Sequence, residues 1–330
     1  MAAVLEVLAG DVGATTTRLA SYHRGPEGSL EEGVRRAYPS AEHSGLEALL
    51  RRFLGETGSR ARHLCLGLPG PVRDGRCRIT NLPWQVDAHE LEATLGLDQV
   101  TLLNDLEAQA HALAALPPEA LLELAPGAPE PRGNRALIAA GTGLGEAGLA
   151  WDGARHRPFA TEGGHASFSP QSELEVTLLG FLARRHGHVS WERVLSGPGL
   201  AEIFEFLCEH RGEVPAAWFL EARDPAAALT ERALAGTHAR ASEALELFVR
   251  LYGAEAGNLA LKMLATGGLY VAGGIALKIL PRLSQGGFLE GFLDKGRMRE
   301  LLLTVPVRVV LHPLPGLLGA ARVAFERAAG

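Results

Sequence analysis

The amino-acid sequence predicts a globular α/β protein with two domains. The chain has 330 residues, which is more than one compact core of ordinary size accommodates. Its 47% apolar and 21% charged residues are typical of a soluble folded chain. An apolar strand, a glycine turn and a second strand also follow one another near the start of each half, over 4–22 and 135–151. This repetition indicates two related units.

The first glycine turn lies in LAGDVGATTTRLA, residues 8–20. Three threonines follow it and favour a strand, whereas P-loop and dinucleotide-binding turns lead into a helix. No lysine follows the turn at Walker A spacing. The backbone amides of two such turns, facing one another across a cleft, could instead hold a phosphate chain from both sides. Asp11 lies between apolar runs, and a magnesium ion, bound directly or through water, would satisfy its charge.

The remaining elements follow from the apolar patterns. These predict a buried strand over 63–72, a strand over 99–105 with a helix over 106–116, long helices over 173–264, a third strand and glycine turn over 267–277, and a closing strand, turn and helix. The Pro- and Gly-rich segment 117–134 predicts a domain junction. We therefore expect a small domain of residues 1–115 with 316–330, and a large domain of residues 116–315.

Two polar residues stand where a predicted strand gives way to a helix, in LLNDLEAQAHAL. Asn104 and Asp105 are favoured residue types for a helix N-cap, and Glu107 completes a capping-box pattern with Asn104. The carboxyl end of a parallel strand is also where ligands bind in open α/β sheets. Asp105 could accept a hydroxyl proton there, with Asn104 as a donor and acceptor of hydrogen bonds. The residues alone leave both interpretations open.

Two later segments carry further candidate ligands. In FATEGGHASFSP, Glu162 and His165 flank two glycines, which allow close approach of the backbone to a ligand. Either side chain could bridge hydroxyl groups, although a single histidine is more often structural. In HVSWERVLSGPGL, Glu192 stands near a helix start, where a solvated helix face is the alternative.

The composition and charge of the chain indicate which classes of partner and which cellular compartment to expect. A net charge of −6 and a pI of about 6.1 disfavour nucleic acid or an anionic membrane as the main partner. Three scattered cysteines favour a reducing compartment over a disulfide framework. The start of the chain has no basic segment typical of a signal peptide, and no apolar run reaches the length of a membrane helix. We expect a cytoplasmic protein.

Nine segments together resemble the bacterial glucokinase family, within the sugar kinase, Hsp70 and actin superfamily. They are GDVGATTTRLA, GLPGPV, TNLPW, LLNDLEAQAHAL, AAGTGLGEAGL, TEGGHASFSP, ERVLSGPGL, YVAGGIA and HPLPGLLGAA. They occur in the family's order and span residues 10–321. The resemblance implies a two-domain actin-like ATPase (ribonuclease H-like) sugar kinase fold with a cleft between the domains. It also implies ATP-dependent phosphorylation of D-glucose to glucose 6-phosphate, with ATP and Mg²⁺ as cofactors.

The same resemblance implies a role for individual residues. Asp105 matches the catalytic aspartate. The sugar-binding positions are matched by Asn81, Asn104, Asp105, Glu162, His165 and Glu192. The nucleotide-binding positions are matched by Gly10, Asp11, Val12, Gly13, Ala14, Thr15, Gly141, Thr142, Gly143, Gly273 and Gly274. Ala14 departs from the glycine usual in the family, which puts in doubt how closely the backbone approaches phosphate.

Several alternatives accompany this interpretation. The same hydroxyl acceptors could fit another hexose such as mannose, fructose or an amino sugar. A repressor of the ROK type would need a helix-turn-helix before the first phosphate turn, where only nine residues precede Gly10. A chaperone- or actin-like ATPase would lack the clustered ND, EGGH and ER segments. The cysteine cluster that binds zinc in ROK kinases is absent from the sequence, so no structural metal is expected. For the oligomeric state, a homodimer is the hypothesis.

Overall fold

The computed structural model describes residues 5–25, 28–80 and 82–329. The contacts between residues divide the chain into two compact units. The first consists of Met1–Pro118, Arg157–Ala160 and Leu314–Gly330, and the second of Glu119–His156 and Thr161–Pro313. The domain limits expected from the sequence stay a prediction.

The first unit is built on a mixed sheet and a small antiparallel sheet. Its strands are β1 (Glu6–Val12), β2 (Thr16–Arg24), β3 (Leu30–Pro39), β4 (His63–Leu68), β5 (Val72–Arg73), β6 (Arg76–Arg78), β7 (Gln85–Asp87) and β8 (Gln99–Asn104). The main sheet has the order β3-β2-β1-β4-β8. β1 pairs antiparallel with β2 and parallel with β4, and β4 pairs parallel with β8. The small sheet has the order β5-β6-β7.

Helices cover both faces of the main sheet of the first unit. They are α1 (Leu46–Thr57), α2 (Ala88–Leu95), α3 (Asp105–Ala112) and, at the end of the chain, α14 (Pro315–Ala328). The alternation of side chains along β1 explains the two layers, because Leu8 belongs to the core that includes α1 and α2. Val7 and Ala9 belong to the core formed with α3 and α14. The end of β1 therefore lies between two packed helical layers, which fixes the turn that follows it.

The second unit repeats this strand arrangement. Its strands are β9 (Leu121–Ala125), β10 (Arg135–Ala140), β11 (Leu144–Trp151), β12 (His156–Thr161), β13 (Gly268–Ala272) and β14 (Val307–Val310). The sheet order is β12-β11-β10-β13-β14-β9. β10 pairs antiparallel with β11 and parallel with β13, and β13 pairs parallel with β14. The hairpin and the two parallel strands beside it thus match those of the first unit, as the repeated sequence pattern indicates.

Helices make up most of the second unit between its strands. They are α4 (Glu173–His186), α5 (Trp191–Val194), α6 (Gly197–His210), α7 (Ala217–Leu220), α8 (Pro225–Ala235), α9 (Ala239–Met263), α10 (Gly273–Lys278), α11 (Leu280–Leu283), α12 (Gly287–Leu293) and α13 (Arg299–Thr304). The long helix α9 lies in the middle of this core and packs on α6, α8, α12 and β10. The helical content expected over 173–264 is confirmed.

The structure differs from the predicted elements in three details. β1 continues to Val12, so Gly10 lies within the strand, where an added Cβ would be 2.4 Å from a methyl carbon of Leu66. The segment 117–134, whose role as a domain junction stays a prediction, contains the strand β9, which pairs antiparallel with β14 and was not predicted. The third glycine turn is not a hairpin, because α10 begins directly at Gly273 after β13. The local sequence around β9 and α10 does not distinguish a strand or a helix from a turn. The pairing of neighbouring strands decides which structure forms.

Among the described residues, no helix combines the length and the apolar character that crossing a bilayer requires. Cys65, Cys77 and Cys208 are buried free thiols.

Candidate active site

The turn between β1 and β2 is held by backbone and hydroxyl groups. The N–H of Gly13 donates to the carbonyl of Thr16 over 3.1 Å, which closes the hairpin. Ser40 braces the turn from outside, because its hydroxyl lies 2.7 Å from the Gly13 carbonyl and its N–H donates to the Thr15 carbonyl. Ala14 is half-buried and Thr15 is exposed. The hairpin is therefore fixed at its base, and its tip remains accessible.

Asp11 lies on β1 one residue before the end of the strand. Its carboxylate has a long ion pair with Arg18, at 3.9 Å, and its side chain is 27% exposed. Burial raises the pKa of Asp11, and the Arg18 guanidinium lowers it by a smaller amount. Gly316, at the start of α14, approaches closely enough that an added Cβ would lie 3.4 Å from the carboxylate. A weakly compensated carboxylate of this kind fits a divalent cation that keeps most of its water ligands.

The turn between β10 and β11 is more tightly constrained than the first. The N–H of Gly141 donates to the Gly143 carbonyl over 2.8 Å, and the Gly141 carbonyl accepts from Gly197 over 2.9 Å. Glu192, on α5, accepts the N–H of Leu144 over 3.1 Å. An added Cβ on Gly143 would lie 2.4 Å from that Glu192 carboxylate oxygen. The structure thus brings Glu192, predicted on the sugar side, directly against the second of the turns predicted to bind phosphate.

The third glycine pair lies beside the second turn. Gly273 has a φ of +90°, and an added Cβ would lie 2.6 Å from the carbonyl oxygen of Ala140. Both the conformation and the space therefore require glycine. Tyr252, on α9, connects the two segments, since its hydroxyl accepts the Ala140 N–H over 3.0 Å and lies 3.4 Å from the Ala272 carbonyl. Gly141 and Gly273 are consequently held close together.

The segment around Asp105 has the capping geometry expected from the sequence. Asn104 is the N-cap of α3, and its side-chain oxygen accepts the N–H groups of Leu106 and Glu107 at 3.0 and 3.4 Å. The Glu107 carboxylate accepts the Asn104 N–H in return, and this bond opposes the rise that burial causes in the Glu107 pKa. The Asn104 amide also donates to the Gly70 carbonyl over 3.4 Å. Asp105 is thereby placed at the carboxyl end of β8.

Asp105 itself is half-buried at the first position of α3. One carboxylate oxygen accepts the N–H of Leu106 over 3.0 Å. Its negative charge also contributes to a raised pKa of the Cys77 thiol, after the larger effect of burial. The capping and catalytic interpretations of this segment are compatible, because Asn104 supplies the cap and leaves the Asp105 side chain half-exposed.

Glu162 and His165 lie on an exposed turn of the second unit. The turn is a short 3-10 helix over Gly163–His165, closed by a hydrogen bond from the His165 N–H to the Glu162 carbonyl over 3.0 Å. The two side chains approach within 3.8 Å, and each is 58% exposed. They are available to a ligand. Asn81, the remaining predicted sugar ligand, lies outside the described residues.

Sequence reasoning missed a buried carboxyl pair behind this turn. Glu146, on β11, and Glu255, on α9, are 1% and 0% exposed. Their carboxyl groups share a hydrogen bond, and burial together with the Glu255 charge raises the pKa of Glu146 to about 8. The sequence does carry a signal for the burial of these two residues, since each glutamate stands within an apolar run, GTGLGEAGLA or LYGAEAGNLA. Their pairing follows from the fold alone.

Comparisons with known proteins agree over nearly the whole chain. The family model described as Glucokinase matches residues 8–327. The glucokinase of Synechocystis sp. is 42% identical, over 97% of this chain and 98% of its own. The crystal structure of a glucokinase from an Antarctic psychrotroph has a TM-score of 0.84 at 29% identity, over 97% of this chain and 99% of its own. That of a glucokinase from Balamuthia mandrillaris, in complex with glucose, has a TM-score of 0.83 at 20% identity and covers 98% and 94%. These similarities confirm the predicted actin-like ATPase fold class.

Proposed function

The chain belongs to the glucokinase family, and we propose that it transfers the γ-phosphoryl group of ATP to O6 of D-glucose, giving glucose 6-phosphate and ADP. The family assignment expected from the sequence is confirmed by the match over residues 8–327. The observation that supports the chemistry is the placement of Asp105, a half-buried carboxylate at the carboxyl end of β8, the parallel strand at one edge of the main sheet. A group placed there can orient a hydroxyl and accept its proton.

In this proposal Asp105 acts as the general base. Its carboxylate accepts the proton of the sugar 6-hydroxyl as the oxygen forms its bond to phosphorus and the bond to the ADP leaving group breaks. Asn104 keeps the carboxylate in place, since it caps the helix on which Asp105 stands. Phosphoryl transfer needs positioning and charge neutralisation more than covalent catalysis. A single general base held in a fixed position therefore suits this reaction.

The glycine turns supply the phosphate contacts in the same proposal. The segments Gly10–Thr15 and Gly141–Gly143, which contain the tips of the two hairpins, offer backbone N–H groups to the phosphate chain, and Gly273–Gly274, at the start of α10, offers further N–H groups on the adenosine side. The fixed bases of the hairpins keep these donors oriented before the nucleotide binds. Asp11 would hold Mg²⁺, directly or through water. When bound, that ion neutralises charge on the transferring phosphoryl group.

Glu162, His165, Glu192 and Asn104 are the proposed ligands of the sugar hydroxyls, together with Asn81. The carboxylates of Glu162 and Glu192 can each accept from neighbouring hydroxyls, which favours a sugar that presents its full set of hydroxyl groups. The exposure of Glu162 and His165 is consistent with that role. We also propose a cytoplasmic location, supported by the buried free thiols, and retain the homodimer as a hypothesis.

A pair of coupled assays tests the function. ADP release reports phosphorylation of any acceptor, whereas coupling to glucose-6-phosphate dehydrogenase reports only transfer to O6 of glucose. Purified protein is tested with glucose, mannose, fructose and glucosamine, and with ATP, ADP and polyphosphate as donors. We expect the highest kcat/KM for glucose with ATP, with equal rates in the two assays. A higher kcat/KM for another hexose, or ADP release without glucose 6-phosphate, would contradict the proposal.

A further inference from the structure

The buried carboxyl of Glu146 lies directly beneath the turn that carries Glu162 and His165. An added Cβ on Gly163 would lie at 1.9 Å from the Glu146 carboxyl oxygen Oε2, so this carboxyl fills the space beside Gly163. The main chain of the same strand also holds the turn. The Thr161 hydroxyl donates to the Glu146 carbonyl over 3.0 Å and accepts the Gly163 N–H over 3.2 Å. The position of the turn therefore depends on β11 and on the Glu146 side chain.

The partners of the two carboxyl groups show which one carries the proton. Glu255 accepts from the Lys262 ammonium over 3.1 Å through one oxygen and from the Asn258 amide over 2.8 Å through the other. These bonds stabilise an ionised Glu255. By contrast, no amide, hydroxyl or cationic donor among the described residues reaches the buried Oε1 of Glu146. A hydrogen bond between two carboxyl groups needs one proton, and this arrangement assigns it to Glu146.

We propose that Glu146, as a neutral carboxylic acid hydrogen-bonded to Glu255, is a positioning residue that holds the Glu162–His165 turn in its glucose-binding conformation. The inference rests on the proposed sugar-binding role of that turn. Loss of the proton would place two negative charges side by side in the core, with no donor for the second. The Glu146 carboxyl would then move, and Gly163, which packs against it, would move as well.

The surrounding charges define the pH range of the effect. Burial and the Glu255 charge raise the pKa of Glu146 to about 8, against a smaller lowering effect of Lys262. Lys295 adds a second positive charge near Glu255, and its own pKa is lowered by burial. Tyr252, also on α9, is a buried neutral phenol. Three further titratable or charged groups lie on the elements packed against β11. They are His165 on the turn, and Glu192 and Arg193 on α5. Sugar affinity should therefore be high at neutral pH and fall above about pH 8.

Equilibrium binding of glucose in the absence of ATP tests the inference, by calorimetry from about pH 6.5 to about pH 9.5. The wild-type Kd should be constant up to about pH 7.5 and then rise by up to about tenfold per pH unit above pH 8. In Glu146→Gln the amide can still donate to Glu255 and cannot ionise, so the Kd at neutral pH should stay within about twofold and the rise should disappear. Glu146→Leu cannot donate, and its Kd should be raised about tenfold at every pH.

Glu175→Gln is the matched control. Glu175 is a buried glutamate of the same unit, on α4, paired with Arg250 at 2.9 Å. Loss of this ion pair should lower Tm, and the pH dependence of glucose binding should stay that of the wild type. A rise of Kd in Glu146→Gln equal to that of the wild type would overturn the inference, and so would wild-type affinity in Glu146→Leu. If Glu146→Leu does not fold, the comparison of Glu146→Gln with the wild type still decides.

Two other results would point elsewhere. Unchanged glucose affinity in Glu162→Gln would remove the turn from the sugar site, and with it the premise of the inference. A protein that binds glucose with the expected pH dependence and yields no glucose 6-phosphate would contradict the proposed function and leave the positioning role standing.

Discussion

The two glycine hairpins have the same topology and differ in what surrounds them. In each unit an antiparallel hairpin is followed in the sheet by two parallel strands, β4 and β8 in the first and β13 and β14 in the second. The first hairpin carries a carboxylate on its own strand, Asp11, and its tip is accessible. The second carries Thr142 and is braced by the carboxylate of another element, Glu192. A duplicated backbone thus carries two different chemical environments.

The difference follows from where each carboxylate obtains its hydrogen bonds. Glu192 accepts a backbone N–H at 3.1 Å, so its charge is compensated within the protein and it stabilises the turn. Asp11 contacts Arg18 over the longer distance of 3.9 Å, and burial raises its pKa. A cation would compensate it further. The carboxylate of the first hairpin is therefore less compensated within the protein than that of the second, as the proposed binding of Mg²⁺ by Asp11 requires.

The strongest test of this asymmetry is Asp105→Asn. If the chemical step belongs to the first unit, this change should lower kcat by about 10²- to 10⁴-fold, because a neutral amide cannot accept the hydroxyl proton. Glucose affinity should change little, since the shape is retained. Asp98→Asn is the matched control, as Asp98 is an aspartate just before the same strand with an exposed pair to Arg62. Stopped-flow or steady-state kinetics of both variants would decide. Near-wild-type turnover in Asp105→Asn would remove it as the base.

The second prediction separates the two hairpins by their metal dependence. Asp11→Asn should lower kcat/KM for ATP by about 10²-fold and raise the Mg²⁺ concentration needed for half-maximal rate, because the charge that holds the ion is lost. A titration of Mg²⁺ at fixed ATP measures both effects. Arg18→Gln serves as the control for loss of the ion pair. If the two variants show the same Mg²⁺ dependence, Asp11 acts through Arg18 and not through a metal.

Much of this arrangement could be predicted from sequence because its signals are local. Alternating and continuous apolar runs predicted both hairpins, and the spacing of Asn104 and Glu107 predicted the cap that the structure shows. The edge strand β9 was missed because a Pro- and Gly-rich segment carries a turn signal, and its pairing with β14 is decided by the fold. The helix that begins at Gly273 was missed for a similar reason, since paired glycines are typical of turns.

The candidate site also has parts that local sequence predicts and parts that only the fold shows. Residue types and order identified Asp105 and the glycine turns, whose roles stay predictions. Contacts between distant segments could not be predicted, and these include Glu192 against Gly143 and the pairing of Glu146 with Glu255. Both arise where separate elements pack together, and a single sequence carries no periodic signal for such pairings. The second unit depends on them more than the first, so sequence reasoning described its site less completely.

The third prediction compares two glycines of the second unit. Gly143→Ala should raise KM for ATP about tenfold, since an added Cβ would displace the Glu192 carboxylate from the Leu144 N–H. Gly180→Ala is the matched control, because Gly180 lies on α4 of the same unit and its added Cβ would meet no atom of another described element within 4 Å. Steady-state kinetics with ATP varied at saturating glucose measures the difference. Equal KM values for the two variants would show that the brace does not shape the nucleotide site.

The smallest expected effect concerns Glu192, which is predicted to bind the sugar and is observed to brace the turn between β10 and β11. Glu192→Gln keeps a carbonyl oxygen that can accept the Leu144 N–H, so KM for ATP should stay within about twofold. KM for glucose should rise about fivefold, because an amide makes weaker hydrogen bonds to hydroxyls than a carboxylate, by about 1 kcal/mol. Glu192→Ala removes the brace and should raise both KM values. Kinetics with each substrate varied in turn separates these outcomes. If Glu192→Gln leaves glucose KM unchanged while Glu192→Ala raises only that for ATP, Glu192 belongs to the phosphate turn alone, and the sugar site of the second unit reduces to the exposed Glu162 and His165.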